Sequence, residues 1–218
     1  VMISVAAYEV GVLLKKKFKL AIFNPLLISI AAVIVCLLAF NIDYDSYNAG
    51  AKYISYLLTP ATVCLAVPLY EQVELLKKNA KAIFAGILSG VLTSILCVLA
   101  GCAIFGLSHE QYVTLLPKSI TTAIGMGVSE ELGGIVTITV AVIIITGVFG
   151  NMMAEFVCKV FRIQEPVAKG IAIGSAAHAV GTAKAMEMGD IEGAMSSLSI
   201  AVAGLMTVVA APLFAGIL

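Results

Sequence analysis

The chain has 218 residues, of which 61% are hydrophobic and 12% charged, and its thirteen basic and thirteen acidic residues cancel. Ordinary soluble domains carry about a quarter charged residues, so this composition excludes a soluble enzyme and leaves no basic face for nucleic acid. The five cysteines, Cys36, Cys64, Cys97, Cys102 and Cys158, lie in or beside apolar runs without CxxC spacing, which reads as membrane packing and not as metal or redox chemistry.

The opening run Val1 to Leu14 is short for a span and carries Glu9, and the chain starts on valine, so residues are expected to be missing before it. A cleaved leader fits less well, because Lys15, Lys16, Lys17 and Lys19 follow the apolar run instead of preceding it. Leu20 to Phe40 is the second span, kinked at its start by Asn24-Pro25. The loop Asn41 to Lys52 follows. A third span, Tyr53 to Tyr70, contains Pro60 and Pro68 and is expected to be bent or broken. An amphipathic connector, Glu71 to Lys81, leads to a fourth span, Ala82 to Gly106. Ile135 to Val157 is the fifth, and Ala194 to Leu218 the sixth.

Helix is the secondary structure these runs demand, because backbone groups in lipid must be satisfied within the segment. The alternating pattern of a membrane barrel is missing. Lysine- and arginine-rich loops stay cytoplasmic, which puts Lys15 to Lys19, Lys77 to Lys81 and Lys159 to Lys169 on the inner side. Only one crossing then separates Gly106 from Cys158, so Lys118 to Gly134 must enter and leave on the outer side. Gly170 to Asp190 must likewise dip in from the cytoplasm. The expected fold is all-α: a polytopic helix bundle with about six transmembrane helices and two oppositely oriented re-entrant hairpins. Residues 1–117 read as scaffold and 118–218 as the site-forming region of one membrane domain.

Laying Ala123-Ile124-Gly125 on Ala179-Val180-Gly181 also superposes Glu131 on Glu187, Gly133 on Gly189 and Ile135 on Ile191. Together with the opposed orientations this suggests an inverted repeat, a recurring architecture of secondary transporters. In the first hairpin, Lys118, the hydroxyls of Ser119, Thr121, Thr122 and Ser129, and several glycines are what a small carboxylate requires, and a half-helix N-terminus adds partial positive charge. The other use of those hydroxyls is to bond back to helix carbonyls. In the second, His178, Thr182 and Lys184 are candidate ligands, and Glu130, Glu131 and Glu187 candidate proton carriers. His178 has two readings, an anion or proton site or a structural hydrogen bond to a carbonyl. HExxH, GxSxG and P-loop motifs are absent, paired metal ligands are missing, and no enzyme, metal or cofactor is expected.

The runs KSITTAIGMGVSEELGGI and GSAAHAVGTAKAMEMG, with KKKFKLAIFNPLLISI and LLTPATVCLAVPLYEQ, resemble the signatures of the LrgB/CidB family of bacterial membrane proteins over essentially the whole chain. The resemblance implies a multi-pass plasma-membrane protein made with a smaller LrgA/CidA-type partner. Its implied function is transport of small monocarboxylates of the pyruvate, lactate or glycolate class; the other implied function is antiholin-like control of murein hydrolases and autolysis without transport. A homodimer is a further expectation. Two positions depart from the family pattern: Ala123 stands where it has proline and Gly127 where it has glutamate.

Overall fold

The computed structural model describes residues 1–18, 23–57, 60, 63–64 and 66–218. Lys19, the start of the expected second span and parts of the expected third span lie outside the described residues. The chain divides into two compact units, Val1–Leu65 and Ala66–Leu218.

In the first unit α1 (Met2–Phe18) packs on α2 (Pro25–Ala39), and α3 (Tyr44–Ser55) follows. Gly11 permits the α1–α2 approach, since a Cβ there would lie 2.7 Å from the Pro25 Cα. Asn24 caps α2 by accepting the Leu26 N–H at 2.9 Å, with Pro25 at the first helical position, where its missing N–H costs nothing. The expected loop Asn41 to Lys52 is largely α3. Its polar composition hid a helix that Asp43 starts by accepting the Ser46 N–H at 2.8 Å. That bond holds the Asp43 carboxyl below the usual carboxylate range, so the cap supports α3 above the ordinary aspartate pKa and is lost as pH falls through the lowered value.

The second unit contains α4 (Ala66–Glu71), α5 (Val73–Phe105), α6 (His109–Leu115), α7 (Thr122–Glu131), α8 (Val136–Val160), α9 (Pro166–Met188) and α10 (Asp190–Ala215). Three of these, α5, α8 and α10, are long and apolar enough to cross a membrane. Their outer faces carry Ile104, Ile145, Leu205 and Val209, each at least 65% exposed. Large apolar side chains on the outside of long helices mark lipid as the solvent. The chain is an all-helical membrane protein among the described residues. The connector expected over Glu71 to Lys81 is no separate element: most of it is the start of α5, because nothing between Val73 and Ala82 interrupts the helix.

Between the long helices the chain twice folds back on itself. In α9 the reversal falls at His178, whose φ of 42° and ψ of −142° leave the helical region. Beyond it Gly181 lies against the first half of the element, with a Cβ position 3.1 Å from the Ile173 side chain and 3.3 Å from its carbonyl oxygen. In a straight helix those residues would stand about 12 Å apart. The earlier reversal joins α6 to α7 through 116–121, and there the Gly125 Cβ position is 3.5 Å from the Pro117 carbonyl oxygen. Gly125 precedes Gly181 by the same interval of sequence that separates Pro117 from Ile173. This constant offset also relates the ends of α5 and α8. Gly106 and Arg162 both have positive φ, 62° and 54°, and Leu107 N–H to Cys102 O at 3.0 Å recurs as Ile163 N–H to Cys158 O at 2.8 Å.

Both reversals reach Ile143 on α8, which is fully buried. Gly125 contacts its side chain, and the His178 imidazole Nε2 is 2.9 Å from its carbonyl. Glycines on α8 make room: Gly147 faces the His178 ring and Gly150 faces Ala177.

Because Gly181 is in contact with the opposite half of its own fold-back, Gly181→Val is expected to lower stability by about 1 to 3 kcal/mol through overpacking. Gly127, with open space where its Cβ would be, is the control, and Gly127→Ala is expected to leave the midpoint of thermal unfolding in detergent unchanged or slightly raised. Equal midpoints for both variants would contradict the close approach at Gly181.

Candidate functional site

A cavity of about 1060 Å³ lies among α5, α8, the first half of α9 and the break after α6. Helix α5 contributes a stripe at helical spacing, with Asn79, Gly86, Ser89, Gly90, Thr93, Ser94 and Cys97 on one face. The opposite wall carries Thr146 and Phe149 of α8 and Ile171 and Ser175 of α9. Gly86 and Gly90 bring α9 close, since Cβ atoms there would meet Ile171 at 3.3 Å and the Ser175 hydroxyl at 2.7 Å. These two contacts rise together along both helices, so α5 and the first half of α9 run in the same direction.

The broken segment 116–121 delivers Lys118 and Ser119 to this cavity. Pro117 removes an N–H from this stretch, and the turn is closed by Lys118 N–H to Leu115 O at 3.2 Å. The Lys118 ammonium donates to the Ser119 hydroxyl at 2.9 Å, and the Ser94 hydroxyl donates to the same oxygen at 3.0 Å. Ser119 therefore accepts twice, and its own proton is left to donate. Glu165 is the other charged residue lining the cavity, at the end where Leu75 and Asn79 lie. About ten residues of α9 separate it from Ser175, or roughly 15 Å at 1.5 Å per residue. Lys118 makes no ion pair with a carboxylate among the described residues.

The remaining residues singled out from sequence take other places. Thr121 is the N-cap of α7 without a side-chain capping bond, and Thr122 is its first residue; both are half-buried and neither lines the cavity. Ser129 is buried with its hydroxyl 2.7 Å from that of Thr139, and the Thr139 hydroxyl also lies 2.9 Å from the Thr114 carbonyl. Thr114 in turn accepts the Ile135 N–H at 2.8 Å, tying the base of the first fold-back to the start of α8. His178 is buried against Ile143, and the Thr182 hydroxyl lies 3.0 Å from the His178 carbonyl and 2.7 Å from the Ser196 hydroxyl. Lys184 pairs with Glu155 at 2.5 Å and with Glu187 at 3.1 Å, and Glu130, Glu131 and Glu187 are exposed. Lys118 and Ser119 thus meet in the cavity, while Ser129, His178, Thr182 and Lys184 bond to the framework around it.

The polar stripe of α5, with Thr146, Glu165 and Ser175, did not emerge from the sequence. Its one signal was the spacing of Ser89, Thr93 and Cys97 beside Gly86 and Gly90 on an otherwise apolar helix. The constant offset between the fold-backs returns here too, relating Ser119 to Ser175, Ser94 to Gly150 and Gly90 to Thr146, all of which line the cavity.

The model of the LrgB-like family matches residues 4–217. The chain belongs to the LrgB family. It is similar to the antiholin-like protein LrgB of Bacillus cereus strain B4264 and of Bacillus anthracis strain A0248, each 39% identical over 215 residues. Those alignments cover 98% of this chain and 94% of each relative. No solved structure matches. The cavity therefore belongs to an LrgB-family membrane protein, and the two family signatures occupy its two fold-backs.

Within the second, His178 holds a backbone conformation that L side chains rarely adopt. His178→Gly and His178→Ala both lose the imidazole and its bond to Ile143, but only glycine relieves the backbone strain. The glycine variant is expected to be more stable than the alanine variant by about 1 kcal/mol, the reverse of the usual helix order. Thermal unfolding of the two side by side decides it, and an alanine variant equal to the glycine variant would count against strain at this position.

Proposed function

We propose that this chain moves small monocarboxylates of the pyruvate, lactate or glycolate class across the bacterial plasma membrane. The observation that carries the reading is Lys118: a cation without a carboxylate partner among the described residues, bonded to the Ser119 hydroxyl at a helix break in a cavity between spans. Ionisable groups at membrane depth are costly and mark substrate paths. Broken helices meeting near the midplane are how secondary transporters build such sites. A single carboxylate would supply the charge that Lys118 lacks and accept the free Ser119 proton, while the cavity leaves room for the rest of a small acid and its water.

In this reading the protein is multi-pass, with about six spans, and the two fold-backs are re-entrant hairpins that enter from opposite sides. Three observations support it. The basic residues at the start of α5 and before α9 sit at matching ends of two helices that run in the same direction. The fold-back of α9 leans along α8 from the Glu155 pair to Ile143, whereas that of α6 and α7 starts at the other end of α8, at Thr139. Contacts recur at a constant sequence offset, as an inverted repeat requires. The site-forming region then comprises 118–218 together with the α5 stripe that lines the cavity, and the scaffold expected over 1–117 is narrowed by that helix. Thr121 and Thr122 act at the first hairpin, with Glu130, Glu131 or Glu187 as proton carriers if transport is coupled, and a small LrgA/CidA-type protein is the partner.

The second reading is antiholin-like control of murein hydrolases without transport, favoured by the names of the relatives. Uptake of labelled pyruvate, lactate and glycolate into proteoliposomes separates the two, with and without an LrgA-type partner. Saturable uptake is expected, with Lys118→Met reducing it at least tenfold and Lys118→Arg retaining part of it; loss of one charge-assisted hydrogen bond, about 1.5 to 3 kcal/mol, corresponds to that scale. No uptake under either condition would leave the antiholin-like reading in its place.

A further inference from the structure

The cavity ends at a thin wall. Ser94, Ser119 and Ser175 line the large cavity and also a second void of about 10 Å³ on their other side. That void has room for no more than about one water molecule. Leu116, Ala203 and Thr207 close it from behind, and Thr207 is 4% exposed. The large cavity extends the opposite way, to Leu75, Asn79 and Glu165, beside the stretch of α5 that carries Lys77, Lys78 and Lys81.

We infer that the substrate route continues between these serines into the void and past Thr207, so that the structure is the form open toward the lysine-rich side and the serines are its closed partition. The inference rests on the transport reading above and adds pathway residues to it. Ser119 and Ser175 occupy equivalent positions of the repeat and lie at the two fold-backs. Those are the places where helical backbone is interrupted or ends, and two such tips can part without breaking a continuous helix. Ser94 bridges to Ser119 through one hydrogen bond of 3.0 Å, a contact that a passing carboxylate can replace. Behind the wall Thr207 supplies the next hydroxyl, between the small residues Ala203 and Ala211 on the same face of α10.

Cys97 lines the cavity and serves as a native reporter of binding. In the full chain with Cys36, Cys64, Cys102 and Cys158 replaced by alanine, alkylation of Cys97 by a membrane-impermeant maleimide is followed with and without lactate, alongside lactate uptake. Thr207→Phe is expected to cut uptake at least tenfold while lactate still slows Cys97 alkylation as in the parent, and Thr207→Ser is expected to transport within about twofold of the parent. Parental uptake by Thr207→Phe overturns the route. Should Thr207→Phe lose protection as well as uptake, Thr207→Cys in a background without the five native cysteines decides. Labelling during turnover from the membrane side opposite to the one that labels Cys97 upholds the route, and no labelling from that side overturns it. A parent that neither takes up lactate nor shows protection by any of the three acids removes the transport reading itself, a failure distinct from a parent that transports and a Thr207→Phe variant that does so equally.

Discussion

A chain that turns around among apolar helices must find partners for every peptide group the turn frees, because lipid offers none. The second unit is organised by that constraint. At the first reversal Thr114 takes the Ile135 N–H on its hydroxyl and gives its carbonyl to Thr139, which also holds Ser129. At the second the Asn151 amide donates to the Val180 carbonyl at 2.7 Å, while the Thr182 hydroxyl lies 3.0 Å from the His178 carbonyl and 2.7 Å from the Ser196 hydroxyl. Among the described residues no buried side-chain nitrogen or oxygen is left without a partner. Satisfying the two turns occupies half of the buried polar residues among those described, and the groups at the cavity wall, Lys118, Ser119 and Ser94, are bonded in a way that leaves capacity for a ligand.

Packing follows from the same requirement. Reversed segments fit between long helices only where side chains are small, which accounts for Gly147 and Gly150 on α8 and Gly86 and Gly90 on α5. In α9, Gly170 and Gly174 lie against α10, with Cβ positions 2.5 Å from the Glu192 and Ser196 carbonyl oxygens. The cavity is what remains where small residues face one another across a break that no bulky side chain fills.

Much of this was legible in the sequence, and for physical reasons. Continuous apolar runs define membrane helices, and a polar, glycine-rich insert between two of them can persist only if protein covers it. The likeness of Ala123-Ile124-Gly125 to Ala179-Val180-Gly181 reflects two glycines that each let a fold-back close on a carbonyl earlier in the chain, Pro117 in one case and Ile173 in the other. Four things were illegible. The Glu71 to Lys81 connector merges into α5 because charge does not stop a helix, and α3 looked like a loop because its polar residues obscure the cap at Asp43. The stripe on α5 was missed because small and hydroxyl side chains at helical spacing serve helix packing and cavity lining equally well. The imidazole of His178 could turn toward a ligand or toward a carbonyl, and only the position of Ile143 decides.

Entry of the two fold-backs from opposite membrane faces is the claim on which the transport reading turns. Glu131 and Glu187 are exposed residues separated by the same interval of sequence as Gly125 and Gly181, near the bases of the two fold-backs. The direct measurement is labelling of Glu131→Cys and Glu187→Cys, each in a background without the native cysteines, by an impermeant thiol reagent applied to intact cells and to inverted vesicles. Glu131→Cys is expected to react only from the outer face and Glu187→Cys only from the cytoplasmic face. Reaction of both from the same face would contradict it.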